Sequence, residues 1–207
     1  MRGRFITLEG GEGVGKSTQL VAIADAVRTR GHKVVTTREP GGSEGAEAIR
    51  ALLMQGSEEK WSARAEALLF AAARADHVEK LIQPTLERGE WVLCDRFIDS
   101  SRAYQGGAGG IGDDDVMALH RVGSEGMLPD RTLVLMLSPS DAEARAMARD
   151  GGKVDRFSAR NMDYHQAVAR RFREFAQTEP ARVRLIDANG SKSDVTARLL
   201  AEIDDLL

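Results

Sequence analysis

The stretch Phe5-Ile6-Thr7-Leu8-Glu9-Gly10-Gly11-Glu12-Gly13-Val14-Gly15-Lys16-Ser17-Thr18 decides how the rest of the chain is read. It runs from an apolar strand through a glycine-rich loop into the start of a helix. Gly10, Gly15, Lys16 and Ser17 complete the spacing G-x-x-x-x-G-K-[ST]. Backbone N–H groups can wrap a polyphosphate only where side chains do not hold the backbone away, and glycine permits that approach. The helix behind the loop aims its first N–H groups and the positive end of its dipole at the same anion. Lys16 supplies a mobile cation for the outer phosphates, and Ser17 a hydroxyl for Mg²⁺. A chance glycine-rich turn is the competing reading. The eight-position match between strand and helix weighs against it.

Outward from this loop, apolar strands alternate with amphipathic helices. Leu20, Ile23, Ala24 and Val27 recur at helical spacing, and Gly31 follows as a stop. Strands are expected at 33–37, 90–94, 132–137 and 183–187. Helices are expected at 45–56, 62–82, 113–126 and 140–150, and along faces marked by Tyr164, Val168, Phe172, Phe175 and by Val195, Leu199, Ile203, Leu206. Pro84 and Gly89 are read as a kink and an end. Gly106-Gly107-Ala108-Gly109-Gly110 is read as a flexible loop. This alternation predicts an α/β chain whose parallel sheet is covered by helices on both faces. Ligands in such folds bind beyond the carboxyl ends of the strands. The motifs at Gly10–Ser17, Arg38–Gly42 and Asp95–Arg96, and the segment after Leu137, all follow strand ends, so they are expected to share one cleft.

Composition sets the outer bounds. A chain of 207 residues, 42% apolar and 29% charged, can bury one core, and no boundary divides it into domains. A net charge of −3 offers nucleic acid no general attraction. The single cysteine, Cys94, lies in an apolar run and reads as a buried, inert thiol. No apolar run is long enough to span a bilayer, and the start lacks a signal-peptide core, so the expectation is a cytoplasmic chain with no membrane partner.

Asp95 ends an apolar strand, where a carboxylate can hold Mg²⁺ through water, or simply cap a turn. Asp95-Arg96 lacks the second acid that many ATP-hydrolysing motors use, and no Asn-Lys-x-Asp guanine motif occurs. Both absences argue against a motor and against a GTP switch.

Four motifs in this order resemble the thymidylate kinase family. They are the glycine loop, Arg38-Glu39-Pro40-Gly41-Gly42, Leu69-Phe70-Ala71-Ala72-Ala73-Arg74-Ala75-Asp76-His77, and Asp95-Arg96-Phe97-Ile98-Asp99-Ser100-Ser101-Arg102-Ala103-Tyr104-Gln105-Gly106. The resemblance implies a P-loop NTPase fold with a five-stranded parallel sheet and a short lid at about 145–160, in a single domain over 1–207. It implies transfer of the γ-phosphoryl group of ATP to dTMP with Mg²⁺, in a homodimer. ATP would meet Gly10, Gly11, Glu12, Gly13, Val14, Gly15, Lys16, Ser17, Thr18 and Arg145. On the acceptor side, Phe70 would stack on thymine and Arg74 donate to its carbonyl edge. Arg38 and Arg96 would grip the monophosphate, with Glu39, Pro40 and Ser100 beside them. Ser101 and Gln105 would face the base, Tyr104 would crowd the 2′ position, and Glu12 would meet the 3′-hydroxyl. Ser17, Asp95 and Glu9 form the implied metal set.

In this family the loop or the lid carries an arginine. None lies between Gly10 and Lys16, which shifts that role to the lid. Lys16, Arg96, Asp95 and Arg149 are then the catalytic set. Arg149 adjoins the Gly151-Gly152 hinge one turn from Arg145, while Arg156 and Arg160 are expected to pair with acids such as Asp155 and Asp163. Ala73, Phe97, Met136 and Ser158 depart from residues common in the family. A kinase for another nucleotide and a non-catalytic ATP switch are the rival readings.

Overall fold

The computed structural model describes residues 2–138, 160 and 162–207. Five parallel strands form one sheet: β1 (Phe5–Gly10), β2 (Val34–Arg38), β3 (Trp91–Asp95), β4 (Arg131–Met136) and β5 (Val183–Asp187). Their order is β2-β3-β1-β4-β5. The register sets Arg38 beside Asp95, Asp95 beside Leu8, and Gly10 beside Leu135, so the motif-bearing ends share one edge. β1 is central and wholly buried, its apolar Phe5, Ile6 and Leu8 interleaved with a buried Thr7 and Glu9.

The period of two along β1 divides the core. Ile6 and Leu8 face a cluster built with Ile23 and Val27 of α1 (Lys16–Thr29) and with Val195 and Leu199 of the last helix. Phe5, on the opposite face, joins Val92, Cys94, Phe97 and Ile98. Val168, Phe172 and Phe175 bury the apolar stripe of a long helix, Met162–Thr178, against Val134 and Val183. Among the described residues the other α-helices include α2 (Glu44–Met54), α3 (Ala63–His77), α4 (Gln83–Glu87), α5 (Ile98–Ser101) and α6 (Asp113–Ser124). The two after them are α7 (Met162–Thr178) and α8 (Lys192–Ala201).

Two expectations are corrected. The helix expected over 62–82 does not stop there: α3 continues through a π-turn at Val78–Ile82 into α4, which ends at Glu87, just before Gly89. Widening the turn before a proline accommodates its missing N–H and its ring. Gly106 and Gly107 are not a flexible loop either, because Arg102–Ala108 is a π-helical segment continuing α5. A Cβ on Gly107 would lie 2.5 Å from Cγ of Arg171, so this glycine admits a neighbouring helix.

The start of that segment is fixed by buried charge. Asp99 accepts from Arg182 at 2.6 and 2.9 Å, from Arg102 at 3.0 Å and from Thr132 at 2.9 Å. Arg102 also reaches Asp113 and Glu179. Removing one partner from such a set strands a buried charge, so the network holds α5 against β4 and β5 in a single arrangement.

Candidate active site

The carboxyl edge of the sheet opens into a cleft of about 690 Å³. Its lining includes Glu12–Gln19, Arg38, Glu39, Pro40, Phe70, Arg74, Asp95, Arg96, Ser100, Ser101, Tyr104 and Gln105. Three strand-end motifs therefore meet in one cavity. The stretch after Leu137, with Arg145, Arg149 and Arg156, lies outside the described residues.

The loop is shaped by glycine. Gly10, Gly13 and Gly15 have φ of 129, 71 and 97°, where other residues are strained. Gly15 caps α1 with no side-chain bond to the helix N–H groups, which leaves those donors for an anion. Lys16 is not an exposed, mobile cation. It is 7% exposed, and its Nζ donates to the carbonyls of Gly11 at 2.6 Å and Gly10 at 3.3 Å. Burial, with Arg96 as the second cause, lowers the pKa of its ammonium. Ser17 Oγ donates to Asp95 Oδ2 at 2.9 Å.

Arg96 stands beside the loop in a left-handed conformation, φ 69°. It pairs with Glu12, donates to the Gly10 carbonyl at 3.0 Å and to Ser100 Oγ at 3.1 Å, and lies 5.1 Å from the centre of the Tyr104 ring. Arg38 lines the cleft, but its guanidinium is held by Glu47 at 3.0 and 3.1 Å.

Glu9 is corrected. It was expected among metal ligands, yet it is fully buried and absent from the cleft lining. It shares the β1 face of Phe5 and Thr7, turned toward α5. There it accepts from the N–H groups of Phe97 and Ser100 and from Ser100 Oγ at 2.5 Å. Burial and then Asp99 raise its pKa to about 7.

Arg74 is buried and braced. Its Nε donates to Glu39 at 2.8 Å, and Nη2 donates to Ser101 Oγ at 2.8 Å and to the Phe97 carbonyl at 3.4 Å. The other Glu39 oxygen stands 3.1 Å from His77 Nδ1, and His77 Nε2 stands 2.8 Å from Thr37 Oγ1. One carboxylate thus ties the end of β2 to Arg74 and His77 of α3. Cys94 is the inert thiol expected, since burial pushes its pKa up and Sγ donates to the Arg96 carbonyl.

A family model described as thymidylate kinase matches residues 8–199. The chain belongs to the thymidylate kinase family. It is 59% identical to the thymidylate kinase of Rhizorhabdus wittichii over the whole of both chains. It is 46% identical to that of Bradyrhizobium diazoefficiens, over all of this chain and 91% of the relative. The crystal structure of thymidylate kinase from Ehrlichia chaffeensis matches all of both chains with a TM-score of 0.78 at 29% identity. Five parallel strands with helices around them are thus the thymidylate kinase architecture, and the enzyme class is that of a nucleoside monophosphate kinase.

Within this thymidylate kinase family fold, several lining residues escaped the sequence reading. Arg50 and Met54 come from α2, and Arg50 donates to the Pro40 carbonyl at 2.7 Å. Ala188, Gly190, Ser191, Lys192 and Val195 follow the end of β5. The same strand-end rule that located the other motifs points to them.

Proposed function

We propose that this chain transfers the γ-phosphoryl group of ATP to dTMP, giving ADP and dTDP. One observation carries the reading: a phosphate-wrapping loop and a braced set of base- and phosphate-binding side chains open into the same cleft. Lys16, Ser17 and Gly13–Thr18 line its donor side, with Gly190–Lys192 nearby. Phe70, Arg74, Tyr104, Gln105, Arg38 and Arg96 line its acceptor side.

In this reading the protein contributes position and charge. Arg96, between the loop and Ser100, holds the acceptor phosphate in line. That phosphate is already anionic at neutral pH, so no general base is required. Ser17 and Asp95 fit Mg²⁺: both are oxygen donors, adjacent and facing the cleft, and Mg²⁺ takes one or two protein ligands with the phosphates. Bound there, Mg²⁺ would neutralise charge on the donor phosphates. Arg149, with Arg145 as a second candidate, would supply the remaining cation. Leu52, Leu68 and Val122 stand exposed, at 47, 56 and 88%, on α2, α3 and α6, of which α3 packs against the other two, which favours a homodimer through these helices. Sedimentation of the wild type against Val122→Glu tests it, and a monomeric wild type ends it.

A phosphoryl-acceptor panel tests the activity. ADP should form with dTMP and far more slowly with dUMP, dCMP and dGMP. Acceptor-independent hydrolysis would instead identify an ATP switch.

A further inference from the structure

Gln105 and Glu66 meet behind the cleft. Gln105 lines the cavity and is 3% exposed. Its Nε2 donates to Oε1 of Glu66, also 3% exposed, at 2.9 Å. Arg160 donates to both oxygens of the same carboxylate, at 3.2 and 3.0 Å. Of the acids expected to pair with Arg160, Asp155 lies outside the described residues; among the described residues its guanidinium pairs with Glu66 of α3. It also lies 4.4 Å from the centre of the Tyr164 ring, whose hydroxyl donates to the Tyr104 carbonyl at 2.9 Å.

An amide side chain has two planar orientations, which exchange a donor for an acceptor. An ionised carboxylate only accepts, so it faces the NH₂ end. The flipped form would set carbonyl oxygen against carboxylate oxygen in a buried place, where unpaired acceptors are costly. We propose that Glu66, held by Arg160, is a positioning residue that fixes the Gln105 amide with its carbonyl oxygen toward the cleft. This rests on the dTMP kinase reading above.

The consequence is a hydrogen-bonding pattern. Gln105 offers an acceptor, while Arg74, committed through Nε and Nη2 to Glu39, Ser101 and Phe97, keeps Nη1 as a donor for the cleft. A pyrimidine with an N3–H donor beside an O4 acceptor matches this pair. Cytosine, with an N3 acceptor beside an amino donor, opposes it at both positions. A site built to bond one pattern rejects the other because its own buried groups go unpaired.

The test is Glu66→Gln, which keeps the volume and removes the obligatory acceptor, so the Gln105 amide can turn either way. kcat/KM is measured for dTMP and for dCMP in the same preparation, so the ratio does not depend on how much protein has folded. The expected result is a fall of about tenfold in the dTMP to dCMP ratio, the size of one hydrogen bond in discrimination, with the KM for ATP unchanged. Equal loss on both substrates, or a ratio within about twofold of wild type, would make Glu66 a packing residue and overturn the inference. A wild type that fails to phosphorylate dTMP would overturn the functional reading instead.

Discussion

Ser17 and Asp95, 78 positions apart in sequence, meet through a single hydrogen bond of 2.9 Å at the cleft floor. Asparagine at 95 can still accept that bond but lacks the charge. Asp95→Asn should therefore keep the wild-type melting temperature while moving the Mg²⁺ midpoint of turnover upward by about tenfold or more, the equivalent of ~1.4 kcal/mol. A Mg²⁺ titration at saturating nucleotides reads it. An unmoved midpoint means that Asp95 only caps its strand.

Lys16 is buried against two carbonyls, so the informative substitution keeps its stem. Lys16→Met should lower kcat on the order of 10²–10³, the loss of one preorganised charge donor. Its unfolding midpoint in urea should not fall much, because the ammonium already bears a desolvation cost. Near-normal dTDP formation would remove the loop from the mechanism.

Arg74 cannot be read from one substitution. Arg74→Ala strands the Glu39 carboxylate, 6% exposed, and should destabilise the fold by about 3 kcal/mol. Adding Glu39→Gln should restore part of that stability, while the KM for dTMP stays raised and the KM for ATP stays near wild type. Denaturant unfolding and steady-state kinetics on the three variants complete the cycle. Recovery of the dTMP KM in the double variant would show that Arg74 acts only as a brace.

Two buried groups tilt stability with pH in opposite senses. His120, 1% exposed, donates through Nε2 to the Met127 carbonyl, and burial lowers its pKa from 6.5 to about 4. The unfolded chain then binds more protons at this site, so its contribution is present above 6.5 and is lost as pH falls toward 4. Glu9, raised from 4.5 to about 7, binds more protons when folded. Its contribution is complete below 4.5 and is lost as pH rises through 7. The two slopes offset between them. Glu9→Gln should make stability climb more steeply with pH, and His120→Gln should make it decline, each by on the order of 1 kcal/mol across the window. Urea unfolding at several pH values checks both signs.

In the lid, Arg149→Ala should lower kcat by about 10³ or more with little change in the KM for dTMP, and Arg145→Ala should fall between this and wild type. Single-turnover measurements separate this from slower product release. Mild effects in both would leave the charge to Lys16, Mg²⁺ and Arg96.

Most of the fold was legible because strands buried on both faces read as apolar runs, and because glycine spacing carries its own geometry. The misreadings share a cause. Gly106 and Gly107 look flexible in one dimension, and only the packing of Arg171 shows why a helix lacks side chains there. Arg160 reaches Glu66, 94 positions away, where no local pattern points. Glu9 was more accessible: alternation from Phe5 already sets it on the face away from α1. The brace around Arg74 needed the fold, since Glu39, His77 and Thr37 come together only when β2 lies against α3.

Because all five strands run the same way, the two edges of the sheet have different tolerances. The carboxyl edge is committed to chemistry. At the other edge, the turn at Arg30–Gly31 is exposed, and Gly31 has open space around it, with no heavy atom within 4 Å of where a Cβ would stand. An epitope, a fluorophore or a surface tether inserted there lengthens the chain where neither core nor cleft is disturbed. dTMP turnover by such an insertion variant should match the parent, which would make this turn the handle for immobilising the protein with its cleft facing solution.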